Sequence, residues 1–119
     1  MKEVVCGIMK NNEGKFLLGL RNEPRVWEFP GGKLEENESL DECLKREWKE
    51  ELNLDIEIEN LVCSKIYLGN MCHFYVGKIK NLKKIELKEH LDIGFFDRNT
   101  IKSLMMFSGD KEIIYQNRI

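Results

Sequence analysis

Glu47, Glu50 and Glu51 crowd into the run Arg46-Glu47-Trp48-Lys49-Glu50-Glu51. On a helix, at about 100° per residue, the three carboxylates fall within an arc of roughly 100°. Carboxylates at i, i+3 and i+4 repel one another, so a bare face of this kind is unfavourable. Bound Mg²⁺ or Mn²⁺, which prefer carboxylate and water oxygens, would reverse that sign. Magnesium keeps several waters and bridges to substrate phosphates, which fits a phosphoanhydride bond as target. The competing reading is a solvated acidic face balanced by Lys45, Arg46 and Lys49.

The helix that must carry these groups has clear ends. Ser39, followed three residues later by Glu42, forms a capping box that places the start near Leu40. Leu40, Cys43, Leu44, Trp48 and Leu52 recur at helical spacing and supply an apolar stripe. Asn53 stands where a left-handed cap is wanted. Before the helix, Val4 to Met9 and Lys15 to Leu20 read as a hairpin around the turn Asn11-Asn12-Glu13-Gly14. Arg21 to Arg25 reads as a loop, Val26 to Phe29 as a short extended piece, and Pro30-Gly31-Gly32 as a tight turn. After the helix, residues 54–58, 62–68 and 72–79 read as strands, with Gly69-Asn70 turning between the last two. A last short strand is predicted over 93–96. Helices follow over 99–106 and 110–118, with Asp97 and Ser108 as caps. A long helix embedded among strands predicts an α/β sandwich with a mixed sheet, in a single domain spanning 1–119.

Gly32 precedes Glu38 by five intervening residues, and seven more separate Glu38 from Arg46. The run Gly32 to Leu54 thereby resembles the Nudix box, G-x5-E-x7-R-E-U-x-E-E-x-G-U with U bulky and apolar. It departs from it only where Asn53 replaces the second glycine. The resemblance implies the Nudix fold, an α/β/α sandwich with a mixed β-sheet, and metal-dependent hydrolysis of a nucleoside diphosphate linked to another group. It implies Glu47, Glu50 and Glu51 as metal ligands with the carbonyl of Gly31, and Mg²⁺ (or Mn²⁺) as cofactor. Arg46 would orient a box glutamate, Glu38 would shape the loop, and Trp48 and Leu54 would be core. Glu89, before the last strand, sits where many Nudix enzymes carry a further acid that binds metal or serves as general base; Glu86 or a box glutamate are the other candidates.

Trp27-Glu28-Phe29-Pro30-Gly31-Gly32-Lys33 is similar to the MutT-type subgroup, which converts nucleoside triphosphates to monophosphates and pyrophosphate. Oxidised nucleotides such as 8-oxo-dGTP are substrates of many of its members, while close relatives prefer CTP, dCTP or modified pyrimidines. That likeness implies Arg21, Phe29 and Val4 around the nucleotide and Lys33 on phosphate. Asp110 falls where a base-reading asparagine stands in the subgroup. An ionised Asp only accepts hydrogen bonds, which suits an amino group such as cytosine N4 or the guanine N1/N2 edge. The other reading of Asp110 is a helix cap. Hydrolysis of dinucleoside polyphosphates, ADP-ribose or capped RNA is an alternative within the family. From another class comes a Nudix-fold module that binds nucleotides without cleaving them, although such modules usually lose a box residue. His73 and His90 read as structural or surface residues without partners.

The bulk composition narrows the classes. Charged residues are 34% and hydrophobic ones 42% of 119 residues, as in ordinary soluble domains. A net charge of −2 supplies no extended nucleic-acid surface, so an anionic substrate needs local cations or a metal. No apolar run long enough for a membrane and no signal-peptide profile is present, so a cytoplasmic monomer or homodimer is expected. Cys6, Cys43, Cys63 and Cys72 lack paired spacing and read as free thiols.

Overall fold

The computed structural model describes residues 1–119. In chain order it contains β1 (Glu3–Lys10), β2 (Phe16–Leu20), β3 (Trp27–Glu28), β4 (Gly31–Lys33), α1 (Leu40–Leu52), β5 (Ile56–Tyr67), β6 (Asn70–Ile79), a 3₁₀ turn (Leu82–Lys84), β7 (Asp92–Phe96), α2 (Arg98–Ile101) and α3 (Ser108–Gln116). The sheet runs β3-β2-β1-β6-β5, with β4 also beside β1 and β7 beside β2. Strands β1 and β6 are parallel, from Glu3↔Met71 to Lys10↔Lys78, because α1 makes the crossover between them. All other pairs are antiparallel, so the sheet is mixed.

Period-two alternation sends the side chains of β1 to opposite faces. Val5 and Met9 pack with Leu44, Trp48 and Leu52 of α1, while Ile8 packs with Ile101 of α2 and Ile113 and Ile114 of α3. Two cores therefore sandwich the sheet, and β2 is buried along its whole length. This is the expected α/β/α layering.

The capping box at Ser39 and Glu42 is formed in full, and α1 begins at Leu40. Asn53 adopts the left-handed conformation at φ 55°, and its side-chain amide donates to the Lys84 carbonyl at 2.9 Å. Five local expectations fail. Pro30-Gly31-Gly32 is no tight turn: Gly31 to Lys33 is extended and pairs with Val4 to Cys6. The glycines are there for close approach instead. A Cβ on Gly31 would strike the Val5 carbonyl, and one on Gly32 would strike the Glu47 carboxylate. The strands expected over 54–58 and 62–68 are one strand, β5, bent by irregularities between Ile58 and Asn60 and between Leu61 and Cys63. The hairpin after it turns one residue earlier than expected, on Leu68 (φ 50°) and Gly69 (φ 80°). The helix expected over 99–106 stops at Ile101, and the chain turns so that the Met105 carbonyl accepts from the Trp27 amide at 2.8 Å. Ser108 is the first residue of α3, which has Phe107 at its N-cap and no side-chain cap; Asp97 does cap α2.

Candidate active site

Helix α1 turns its apolar stripe into the core and lays Glu51 along one border of a cleft of about 830 Å³. Trp48 fixes the rotation of that helix: it is fully buried, and its Nε1–H donates to the Pro30 carbonyl at 2.9 Å. Arg46 then spans the loop and the helix. Its Nε and Nη2 grip Glu38 at 3.0 and 2.8 Å, and its Nη1 reaches Glu47 at 2.9 Å and Glu50 at 3.1 Å. Glu38 also accepts from the Glu35 amide at 2.9 Å, closing the loop ahead of the helix. The Arg46 bonds, followed by that amide, bring the Glu38 carboxyl down to about 2.

The three helix carboxylates have different surroundings. Glu50 is the outermost, with 55% of its side chain exposed. Glu47 lies beneath Gly32, and burial raises its pKa against the pull of Arg46. Glu51 is only 6% exposed, and its Oε2 is buried without a hydrogen-bond partner. Burial first, then a bond to the Glu89 carboxyl and the charges of Glu47, Glu89 and Glu28, push Glu51 up to about 9. A buried carboxyl among carboxylates needs either a proton or a cation. The donor set is oxygen-only and leaves a polar atom unsatisfied, which fits a hard divalent cation. No ready-made cage of three acidic, His or Cys side chains is present; Arg46 holds Glu47 Oε1 and Glu50 Oε2.

Glu89 reaches Glu51 from the segment between the 3₁₀ turn and β7. The amides of Glu86 and Lys88 donate to the carbonyls of Leu52 and Glu51 at 2.9 and 3.3 Å. That docks the segment on the end of α1.

Away from the acids, the cleft is lined by Val4, Arg21, Phe29, Lys33 and Asp110, and by Gly31 and Gly32 at its middle. These come from β1, the end of β2, the β3–β4 connection, β4 and α3. Phe29 is only 2% exposed and packs in the core with Ile8 and Phe74, so it forms floor more than stacking face. Asp110 is no helix cap. It is the third residue of α3, buried, and accepts from the Phe29 amide at 3.4 Å. Burial raises it to about 7, with the Phe29 amide opposing and Glu28 adding.

The cleft also holds residues that the sequence did not single out. Tyr67 and Phe107 meet edge to face at 6.5 Å between ring centres, and the Arg21 guanidinium lies 5.6 Å from the Phe107 ring. Glu28 accepts from Arg21 Nη1 at 3.2 Å and from His90 Nε2 at 2.9 Å. The expectation that the histidines lack partners is therefore wrong, since His73 likewise lies between Ser64 (2.7 Å) and Glu3 (3.0 Å). Strand pairing and a loop closure bring these partners together, and no local spacing announces either. Glu28 alone had a signal, its place inside the Trp27–Lys33 run. The four thiols are free, and no helix is long and apolar enough to cross a membrane.

The NUDIX domain family model matches residues 2–115 of this chain. The chain is 40% identical over 97 residues to the CTP pyrophosphohydrolase of Escherichia coli, covering 76% of this chain and 71% of that protein. It is 49% identical over 56 residues to an 8-oxo-dGTP diphosphatase of Buchnera aphidicola, covering 44% of this chain and 43% of that one. Among solved structures, a MutT structure from a study of the Aliivibrio salmonicida and Vibrio cholerae enzymes superposes with a TM-score of 0.84 at 19% identity, over 97% of this chain and 94% of that one.

Proposed function

This chain belongs to the NUDIX domain family, and on that premise we propose that it is a divalent-metal-dependent nucleoside triphosphate pyrophosphohydrolase. The reaction consumes one water and breaks one phosphoanhydride bond, yielding a nucleoside monophosphate and pyrophosphate. The observation that carries this reading is Glu51. It is a buried carboxyl with an unsatisfied oxygen, set against Glu89 and Glu47 at the edge of a cleft large enough for a nucleotide.

Glu47, Glu50, Glu51 and the Gly31 carbonyl would hold Mg²⁺, with Mn²⁺ as a substitute. Such a cation neutralises phosphate oxygens and acidifies water at neutral pH. Arg46 orients Glu47 and Glu50 and keeps their repulsion in check. Glu38 holds Arg46 in turn through a bidentate pair. Glu89, with Glu86 and the helix carboxylates as alternatives, takes the proton of the attacking water. Lys33 offers an ammonium to phosphate beside the two glycines. Arg21, Val4 and Phe29 border the nucleoside, and Asp110 reads its base.

Asp110 in its ionised form, above about 7, is an acceptor and favours a base that presents an amino group. Cytosine N4 and the guanine N1/N2 edge both qualify, in line with the CTP and 8-oxo-dGTP enzymes that this chain resembles. The test is pyrophosphate release with Mg²⁺ from 8-oxo-dGTP, CTP, dCTP and 5-substituted dCTP, beside ADP-ribose and a dinucleoside tetraphosphate. Turnover of a triphosphate with release of pyrophosphate is expected. Measurable nucleotide binding with no turnover of any member would instead mark a non-catalytic module.

A further inference from the structure

The segment 86–91 carries Glu89, and its geometry depends on few contacts. Its start is tied to α1 through the Glu86 and Lys88 amides, and its end to β2 by the Leu91 amide, which donates to the Leu20 carbonyl at 2.8 Å. Between those ties Leu87 and Leu91 are exposed, and Lys88 pairs only with Glu86 of the same segment. His90 is the exception. Its side chain is 4% exposed, and its ring lies directly on Gly19, where a Cβ would collide with Cγ, Cδ2 and Nε2. Gly19 faces Glu28 across the β2–β3 pair, so the ring that fills the missing side chain is led to the Glu28 carboxylate. There Nε2–H donates to Oε2 at 2.9 Å, while Nδ1 is buried without a partner. The Glu28 bond is thus the only polar tie of that ring.

We infer that His90 is a positioning residue, which rests on Gly19 and bonds Glu28 so as to hold the 86–91 segment where Glu89 meets Glu51. This rests on the hydrolase reading given above, because the aim of Glu89 matters only if Glu89 takes part in turnover. An error of about 1 Å in a catalytic group costs on the order of 100-fold in rate. Loss of the tie should therefore appear in kcat, with little change in KM.

The experiment compares His90→Ala, His90→Phe and His90→Gln, each alone and combined with Glu89→Gln. Phe keeps the ring on Gly19 without the donor; Gln keeps a donor near the position of Nε2. We expect Ala and Phe to lower kcat about 10- to 100-fold with KM within about 2-fold, and Gln to recover most of the loss. In the Glu89→Gln background, His90→Ala should cost less than about 2-fold more, since both changes remove one function. Amide hydrogen exchange gives a readout free of turnover. The Lys88 and Leu91 amides should exchange about 10-fold faster or more in the Ala and Phe variants, and close to wild type in Gln. A His90→Ala loss that persists undiminished beside Glu89→Gln, or a Phe variant with wild-type kcat, overturns the inference. So does unchanged exchange in His90→Ala. A wild-type protein that hydrolyses no nucleotide would sink the hydrolase reading, and the exchange comparison would then decide the role of His90 by itself.

Discussion

The two ends of the cleft hold buried acid in different ways. At one end Glu38, Arg46, Glu47, Glu50 and Glu51 come from one loop and the helix after it, and a single guanidinium ties Glu38, Glu47 and Glu50 together. At the other, Asp110 is met by a group remote in sequence: the Phe29 amide, which donates to it, lies 81 positions away along the chain. The acid end is cross-linked by Arg46 and crowded with charge; the far end is assembled from separate strands and a helix. Yet each holds a buried carboxyl whose pKa burial raises, Glu51 at the first, with an oxygen left unpartnered, and Asp110 at the second, bonded to the Phe29 amide. Under the proposed function, a cation would meet Glu51 and a base would meet Asp110.

The sharpest way to break this pairing is Glu51→Gln. Removing a carboxylate that supports charge in the transition state should lower kcat by about 10²- to 10³-fold, about 3–4 kcal/mol. Glu50→Gln should also lose orders of magnitude. Only Glu51→Gln, though, should stabilise the metal-free protein at alkaline pH, because only it removes a buried acid. Steady-state kinetics and thermal melts check both halves, and wild-type turnover in both variants would remove the helix acids from the reaction.

A second effect is the pH dependence of stability without metal. Glu51 is raised from 4.5 to about 9 in the folded chain, so between those values the native state keeps a proton that the unfolded state releases. Stability from this group is complete below about 4.5 and is lost as pH climbs toward 9, on the order of a few kcal/mol. Asp110 adds a smaller fall between 3.8 and about 7. Denaturant titrations in chelator should show that decline, flattened in Glu51→Gln; a flat wild-type profile would mean that Glu51 is ionised in the fold at no cost.

The smallest expected effect sits at the far end. Asp110→Asn adds a donor and should shift the kcat/KM ratio between CTP and 8-oxo-dGTP by about 10-fold, or 1.4 kcal/mol. It should leave kcat for the better substrate within a few-fold. An unchanged ranking would deny Asp110 any part in base selection.

The same contrast explains what could be read before folding. The helix acids were legible because a constant rotation per residue places Glu47, Glu50 and Glu51 on one face. Ser39 and Glu42 marked where that helix starts. The sandwich followed from the order of strand and helix patterns. By contrast, Glu28 meets His90 only because β2 pairs with β3 and Gly19 leaves room for the ring. Tyr67 and Phe107 meet only when the end of β5 comes to lie beside the N-terminus of α3. The two glycines after Pro30 looked like a turn, since sequence does not distinguish a glycine that bends from one that admits a neighbour.

Asn53, the one departure from the Nudix box, makes helix and loop mechanically continuous. A glycine there would accept the left-handed backbone but could not reach the Lys84 carbonyl, which the Asn53 amide holds at 2.9 Å. With Leu52 and Glu51 accepting from Glu86 and Lys88, the end of α1 grips three successive points of one strap. The strap would then follow any tilt of α1 as far as Lys88, and only its stretch beyond, where Glu89 lies, would be left to the His90 tie.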